Sequence, residues 1–363
     1  MTPNEIADNI RMFYGPPMGV LSDCLRSFIR AAPGKKLIVA DYSNIEGRGL
    51  AWLAGEQWKL DAFAAYDRGD GEDLYLIGAT KILNILGKPP KEKLTKESPE
   101  RQSYGKTPEL ACGYQGSTGA FLTMARLFNL EFTEAEIVEI VKGWRQAHPN
   151  TVQYWKDLEN AAIAAVRQPG SITEAGHAVR TIRFRKSGSF LWAQLPSKRC
   201  LCYPYPELRV QWFARAPGKP ALIEEAEEII LGIVPLVREI RKIKASEKRE
   251  YEDAGWETWQ KDQLTFMGVD SLTKQWVRQF TYGGSLCENF TQGICRDVLA
   301  EAMKRLGKAG YDIAFTVHDE IVCEVPEDFG SLTEMEQIMC ELPVWAKGFP
   351  ITAEGYSAKR YRK

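Results

Sequence analysis

At 363 residues, 44% of them hydrophobic and 26% charged, the chain can form roughly two domains by a prior of about 150 residues each. Its 47 basic residues offset 48 acidic ones for a net charge of −1, so the overall charge singles out no polyanionic partner and only a local asymmetry can. The opening MTPNEIADNIRMFYG has no apolar signal core, no run reaches about 18 apolar residues, and the eight cysteines include no C-x-x-C; the expectation is a cytoplasmic protein with reduced thiols and no membrane span.

Taken in chain order, Lys36 to Ala40 is an apolar run behind the turn-forming Pro33-Gly34, which predicts a buried strand ending in the carboxylate of Asp41. Gly47 to about Leu86 has a helical pattern, and a lysine-rich loop follows at Pro89 to Lys96. Thr133 and Glu136 form a capping box ahead of Ile137, Ile140, Val141 and Trp144, predicting a helix that ends near His148-Pro149. Residues 175–206 hold Arg180, Arg183, Arg185, Lys186, Lys198 and Arg199 without one acid, interleaved with aromatic side chains and broken at Ser187-Gly188, the pattern of paired strands. Residues 221–260 are charge-dense and read as a helical surface elaboration or a partly flexible insertion. Trp276 to Leu306 reads as a long helical region interrupted at Gly283-Gly284, and Ile313 to Val325 as a hairpin.

Two carboxylates occupy comparable places, Asp41 behind LIVA and Asp319 inside AFTVHDEIVCEV. Phosphoryl transfer from a nucleoside triphosphate needs little covalent help from a protein. It needs divalent ions that align the attacking and leaving oxygens, and hard ions prefer carboxylates on rigid elements. Two aspartates from separate strands of one sheet meet that need, although strand-end aspartates are common in folds with no such chemistry.

The neighbouring residues narrow the choice. Asp41-Tyr42-Ser43-Asn44-Ile45-Glu46-Gly47-Arg48 resembles motif A of the family A DNA polymerases, the bacterial polymerase I type, and Val317-His318-Asp319-Glu320 resembles their motif C. Lys106, with Tyr114 eight residues later, resembles motif B between them, and the likeness is nearest to phage members of the family. The fold this resemblance implies is α/β, of the α+β kind: a right-hand polymerase fragment with an antiparallel palm sheet and inserted helical fingers. Palm would occupy 1–75 and 263–363, and fingers 76–262 with an elaboration near 213–262. Thumb and exonuclease domains are expected to be absent, because only 40 residues precede Asp41.

The resemblance also implies roles. Asp41 and Asp319 would hold two Mg²⁺ ions, with Mn²⁺ as a substitute, assisted by the Tyr42 carbonyl, and Glu320 would be a lesser acid beside them. Glu46 would exclude a 2′-hydroxyl. Arg101, Lys106, Leu110 and Tyr114 would meet the incoming dNTP, with Tyr114 on roughly the same helix side as Lys106. Asn289, Gln292 and His318 would contact primer–template DNA, and Arg180, Arg183 and Arg185 its phosphates. The setting would be a bacterial cytoplasm or a phage-infected host.

Some positions depart from the family pattern. Arg101 stands five residues before Lys106 where four is usual, Leu110 replaces a frequent aromatic, Pro108 suggests that a helix begins near Lys106, and Glu288 occupies the usual Asn position four before Gln292. The expected activity is template-directed DNA synthesis. One alternative is a nucleic-acid-binding subunit that is weak without a separate thumb/exonuclease polypeptide. A single-subunit RNA polymerase is a further reading, against which Glu46 and the motif C residues speak.

Overall fold

The computed structural model describes residues 1–217 and 240–362, so most of the charge-dense 221–260 segment's first half lies outside the described residues. In chain order come helices α1 (Pro3–Tyr14) and α2 (Pro17–Phe28), strand β1 (Lys35–Tyr42), and helices α3 (Ile45–Ala54), α4 (Gln57–Asp67) and α5 (Leu74–Ile85). A π-helical turn (Arg101–Lys106) leads into α6 (Thr107–Cys112), α7 (Thr118–Leu127), α8 (Glu134–Ala147) and α9 (Pro149–Arg167). Strands β2 (Thr173–Ala175), β3 (Ile182–Ser187), β4 (Phe190–Gln194), β5 (Cys200–Pro204), β6 (Glu207–Arg215) and β7 (Ile240–Ile243) precede α10 (Lys248–Asp253), β8 (Glu257–Val269) and β9 (Trp276–Phe280). Helix α11 (Gly283–Lys308), strands β10 (Ile313–Val317) and β11 (Glu320–Pro326), α12 (Leu332–Cys340) and β12 (Ala353–Ala358) complete the chain.

Two compact units divide it: Met1–Gly49 with Gln292–Lys363, and Leu50–Thr291. The first is built on an antiparallel sheet of order β10-β11-β1-β12. Central strand β1 is apolar at every position from Leu37 to Ala40 because both its faces are covered. On one face Leu37 and Val39 pack with Val322, Ala31 and Tyr361. Toward α12, Met335 and Met339 are fully buried and the Tyr42 hydroxyl donates to the Met339 carbonyl at 2.8 Å. The expected hairpin at 313–325 is β10 and β11, joined by the two-residue loop His318-Asp319.

The second unit combines helices with two further antiparallel sheets, of order β2-β3-β4-β5 and β7-β6-β8-β9. Thr133 caps α8 as its sequence predicts, with Glu136 reaching back to the Thr133 backbone. The β3–β4 hairpin turns at Gly188, whose φ of +57° is one that side-chain-bearing residues avoid.

Two expectations are corrected here. Residues 276–280 are strand β9, paired with β8, and helix begins only at Gly283. The glycine pair marks a close approach at a helix start, not an interruption: a Cβ on Gly283 would lie 2.0 Å from the Trp155 carbonyl oxygen, and one on Gly284 2.3 Å from that of Tyr114. Nor is the 240–269 portion chiefly helical. It supplies β7 and β8, two strands of the second unit's β7-β6-β8-β9 sheet, with only short α10 between them.

Candidate active site

Sheet register sets the acidic centre of the first unit. Asp41 on β1 lies opposite Glu320 on β11 and, on its other side, opposite Glu354 on β12. Asp319 is the loop residue immediately before Glu320, so Asp41 and Asp319 are brought to one strand pair from opposite ends of the chain. His318, the first loop residue, has φ +56° and is exposed; it is not a buried core histidine. A left-handed first position suits a two-residue hairpin loop, whose twist then follows that of the strands.

Glu320 is 5% exposed and accepts a hydrogen bond from the Tyr361 hydroxyl. Burial, and then the Glu320 carboxylate, push the Tyr361 phenol up to about 12. Beside these residues is a cavity of about 320 Å³ whose lining includes Asp41, Ser43, Glu320, Glu354 and Arg362. Glu46 is exposed in the first turn of α3. The Cys295 thiol of α11 is 3.4 Å from the Ile45 carbonyl oxygen; burial first, and then the charges of Glu46 and Asp319, push its pKa well up, which places both acids near one buried sulfur. The Tyr42 phenol is occupied with Met339, so only its backbone carbonyl is available as a ligand.

Among the described residues no set of three His, Cys, Asp or Glu side chains is grouped to hold a metal ion. The donors Asp41, Asp319 and the Tyr42 carbonyl are all hard oxygens. Mg²⁺ commonly takes only one or two protein carboxylates and completes its shell from substrate phosphates and water. The donor chemistry therefore fits Mg²⁺ and would not fit a softer ion.

In the second unit, Arg101 to Lys106 form a π-helical turn, with the Thr107 N–H donating to the Gln102 carbonyl five residues back. Its cause is local. Pro108 has no N–H for the Tyr104 carbonyl, and Gly105 is pressed so close to α5 that a Cβ there would lie 2.2 Å from the Tyr75 oxygen. The i→i+5 hydrogen bond takes up one residue more than an α-helical turn would between Arg101 and Lys106. Arg101 donates to Asp73 at 2.7 Å, and its guanidinium lies 5.2 Å from the Tyr75 ring centre. Lys106 Nζ lies 5.4 Å from the Phe128 ring centre, and Leu110 is 46% exposed. Tyr114 is not on this helix. Helix α6 ends at Cys112, and Gln115 at φ +65° begins a turn in which Gly116 lies too close to the Ala111 carbonyl for any side chain.

The remaining candidates are dispersed. Asn289 donates to the Tyr203 hydroxyl at 3.2 Å, while Gln292 is exposed on α11. Arg180 donates to the Trp52 carbonyl at 2.9 Å, Arg183 to Glu174 at 2.7 Å, and Arg185 is exposed opposite Trp192.

Sequence reasoning missed Glu354, Arg362, and a buried group around Glu109. One Glu109 oxygen pairs with Lys59 Nζ, and the other accepts the Trp144 indole N–H at 3.1 Å and lies 3.5 Å from His148 Nε2. Glu109 stands three positions after Lys106, and that helical spacing to a candidate site was the available signal.

No protein-family model matches the chain. It is 35% identical to a DNA polymerase of Bacillus phage SP02 over 354 residues, 98% of this chain and 45% of that protein. With a DNA polymerase of Mycobacterium phage D29 it shares 30% identity over 235 residues, 59% of this chain and 36% of the relative. Among solved structures it is similar to the POL domain of Pol1 from M. smegmatis in complex with DNA primer-template and dNTP, with a TM-score of 0.49 and 16% identity over 93% of this chain and 42% of that one. The chain thus spans less than half the length of the curated relatives it matches. It is similar to phage DNA polymerases, and its three motifs resemble those of family A.

Proposed function

We propose that the chain carries the nucleotidyl-transfer centre of a DNA polymerase, adding dNTPs to a primer 3′-hydroxyl under direction of a template in the cytoplasm of a phage-infected bacterium. The observation that carries this reading is the register that sets Asp41 across from Glu320 and beside Asp319. No described helix is long and apolar enough to cross a membrane.

In this reading Asp41, Asp319 and the Tyr42 carbonyl hold two Mg²⁺ ions, which when bound lower the barrier by neutralising charge on the transferring phosphoryl group. Glu320, held by Tyr361, keeps a further negative charge next to Asp41. Glu46 stands under the sugar and rejects a 2′-hydroxyl. Lys106 and Arg101, at the two ends of the π turn, meet the triphosphate, where an ammonium and a guanidinium both suit phosphate charge. Leu110 and Tyr114 border the nucleotide. Gln292, Asn289 and His318 contact the primer–template, and Arg180, Arg183 and Arg185 its phosphates. Palm would comprise 1–75 and 263–363, and fingers 76–262.

Primer extension tests the proposal. Mg²⁺-dependent synthesis is expected, abolished by Asp41→Ala and by Asp319→Ala with unchanged circular dichroism; extension that survives either substitution would sink it. Because the chain spans only 45% and 36% of the two matched relatives, a second reading is a subunit that needs a separate thumb/exonuclease polypeptide. Adding such a polypeptide and restoring weak extension would favour it.

A further inference from the structure

The sheet β2-β3-β4-β5 has one face inside and one outside. Ile182, Phe184, Leu191, Ala193 and Tyr203 point inward and are buried, and Phe184 meets the edge of Phe290 at 5.6 Å. Alternation should leave polar side chains on the outer face of such a sheet. Instead Phe190 and Trp192 project there, 37% and 38% exposed, with ring centres 5.4 Å apart. Scattered exposed apolar residues need no explanation, but two touching rings on a rigid strand are another matter.

Their neighbours are cationic. Arg185 lies directly opposite Trp192 in the register, is exposed, and makes no ion pair among the described residues. Residues 175–206 contain no acid. Within the four strands of this sheet the one carboxylate, Glu174, is taken by Arg183. Rings that offer flat faces beside an unpaired guanidinium match a chain of anionic phosphates carrying flat, unstacked bases. Duplex DNA has its base faces already stacked and offers only phosphates.

We infer that the outer face of this sheet, centred on Phe190, Trp192 and Arg185, is a stacking platform for single-stranded DNA. The choice of DNA, as unpaired template, rests on the polymerase reading; the preference for a single strand rests on the rings alone. Base stacking supplies affinity without sequence preference, and Arg185 adds a salt-dependent phosphate contact.

The test is equilibrium anisotropy with labelled (dT)12 and a 12-base-pair duplex, on the full chain, without dNTP or divalent ions. Phe190→Ala and Trp192→Ala are each expected to weaken (dT)12 binding about fivefold or more. Trp192→Tyr should restore most of it, and duplex affinity should stay unchanged. Arg185→Gln should reduce the slope of log affinity against log salt by about 0.7. Unchanged (dT)12 affinity in both alanine variants, or equal loss for strand and duplex, would overturn the platform. Because no turnover is measured, a chain that binds (dT)12 through these rings but fails to extend primers would retain the platform and lose the polymerase reading.

Discussion

Lys59 on α4 and Glu109 on α6 form an ion pair in the interior of the second unit, with the lysine side chain 1% exposed. Buried pairs of this kind add little net stability over apolar residues of the same shape, yet breaking one is costly because a charge is left unpaired. Glu109→Ala is therefore expected to destabilise the protein by about 3–5 kcal/mol. A double Lys59→Met, Glu109→Leu variant should regain most of that loss in urea denaturation. If the pair also positions Lys106, the double variant will raise the KM for dNTP while leaving the melting temperature near wild type.

The same pair sets an acid limb of stability. Burial alone would push the Glu109 carboxyl up, but the Lys59 ammonium and the nearby His148 outweigh it and hold the carboxyl far below its usual range. A depressed carboxyl contributes its full stabilisation above the unfolded value, about 4.3 for glutamate, and loses it as pH falls toward the folded value. Thermal melting between pH 6 and pH 2 should thus fall more steeply for wild type than for the double variant. Parallel curves would remove Glu109 as the cause.

At the acidic centre, Asp41→Ala and Asp319→Ala are expected to lower extension by at least about 100-fold, the scale of losing a preorganised electrostatic group. Tyr361→Phe keeps the ring that packs on Phe315 but removes the hydrogen bond to Glu320. A fall in kcat of several-fold with KM for dNTP unmoved is the expected signature, read by single-turnover extension.

Arg101 supplies a test of the π turn. Arg101→Ala should raise the dNTP KM roughly tenfold, and Arg101→Lys should not restore it, because a point charge does not replace a planar fork. Gly105→Ala would drive a Cβ into the Tyr75 carbonyl oxygen at 2.2 Å and should cost about 1–3 kcal/mol of stability.

How legible all this was depended on how local each signal is. Strand β1 announced itself because a strand covered on both faces must be apolar at successive positions, and the β10–β11 hairpin because two apolar runs flank a polar pair. Pro108 marked where α-helical bonding starts, at Thr107, but not the helical turn that already begins at Arg101. Strand β9 was hidden, since its five residues are partly exposed on both faces and carry no clean alternation. Glu354 had no local signal: only pairing with β1 puts it opposite Asp41. Lys59 and His148 likewise become a group only when α4, α6 and α8 pack.

The π turn before α6 bears on how such chains diverge. One added residue between arginine and lysine is taken up by the i→i+5 hydrogen-bond pattern, and the helix resumes at Thr107 without a break. Position-by-position alignment to the expected motif would test Gln102 and overlook Arg101 one residue before it. Two added residues would have no helical form to absorb them, and lineages should carry spacings of four or five but not six.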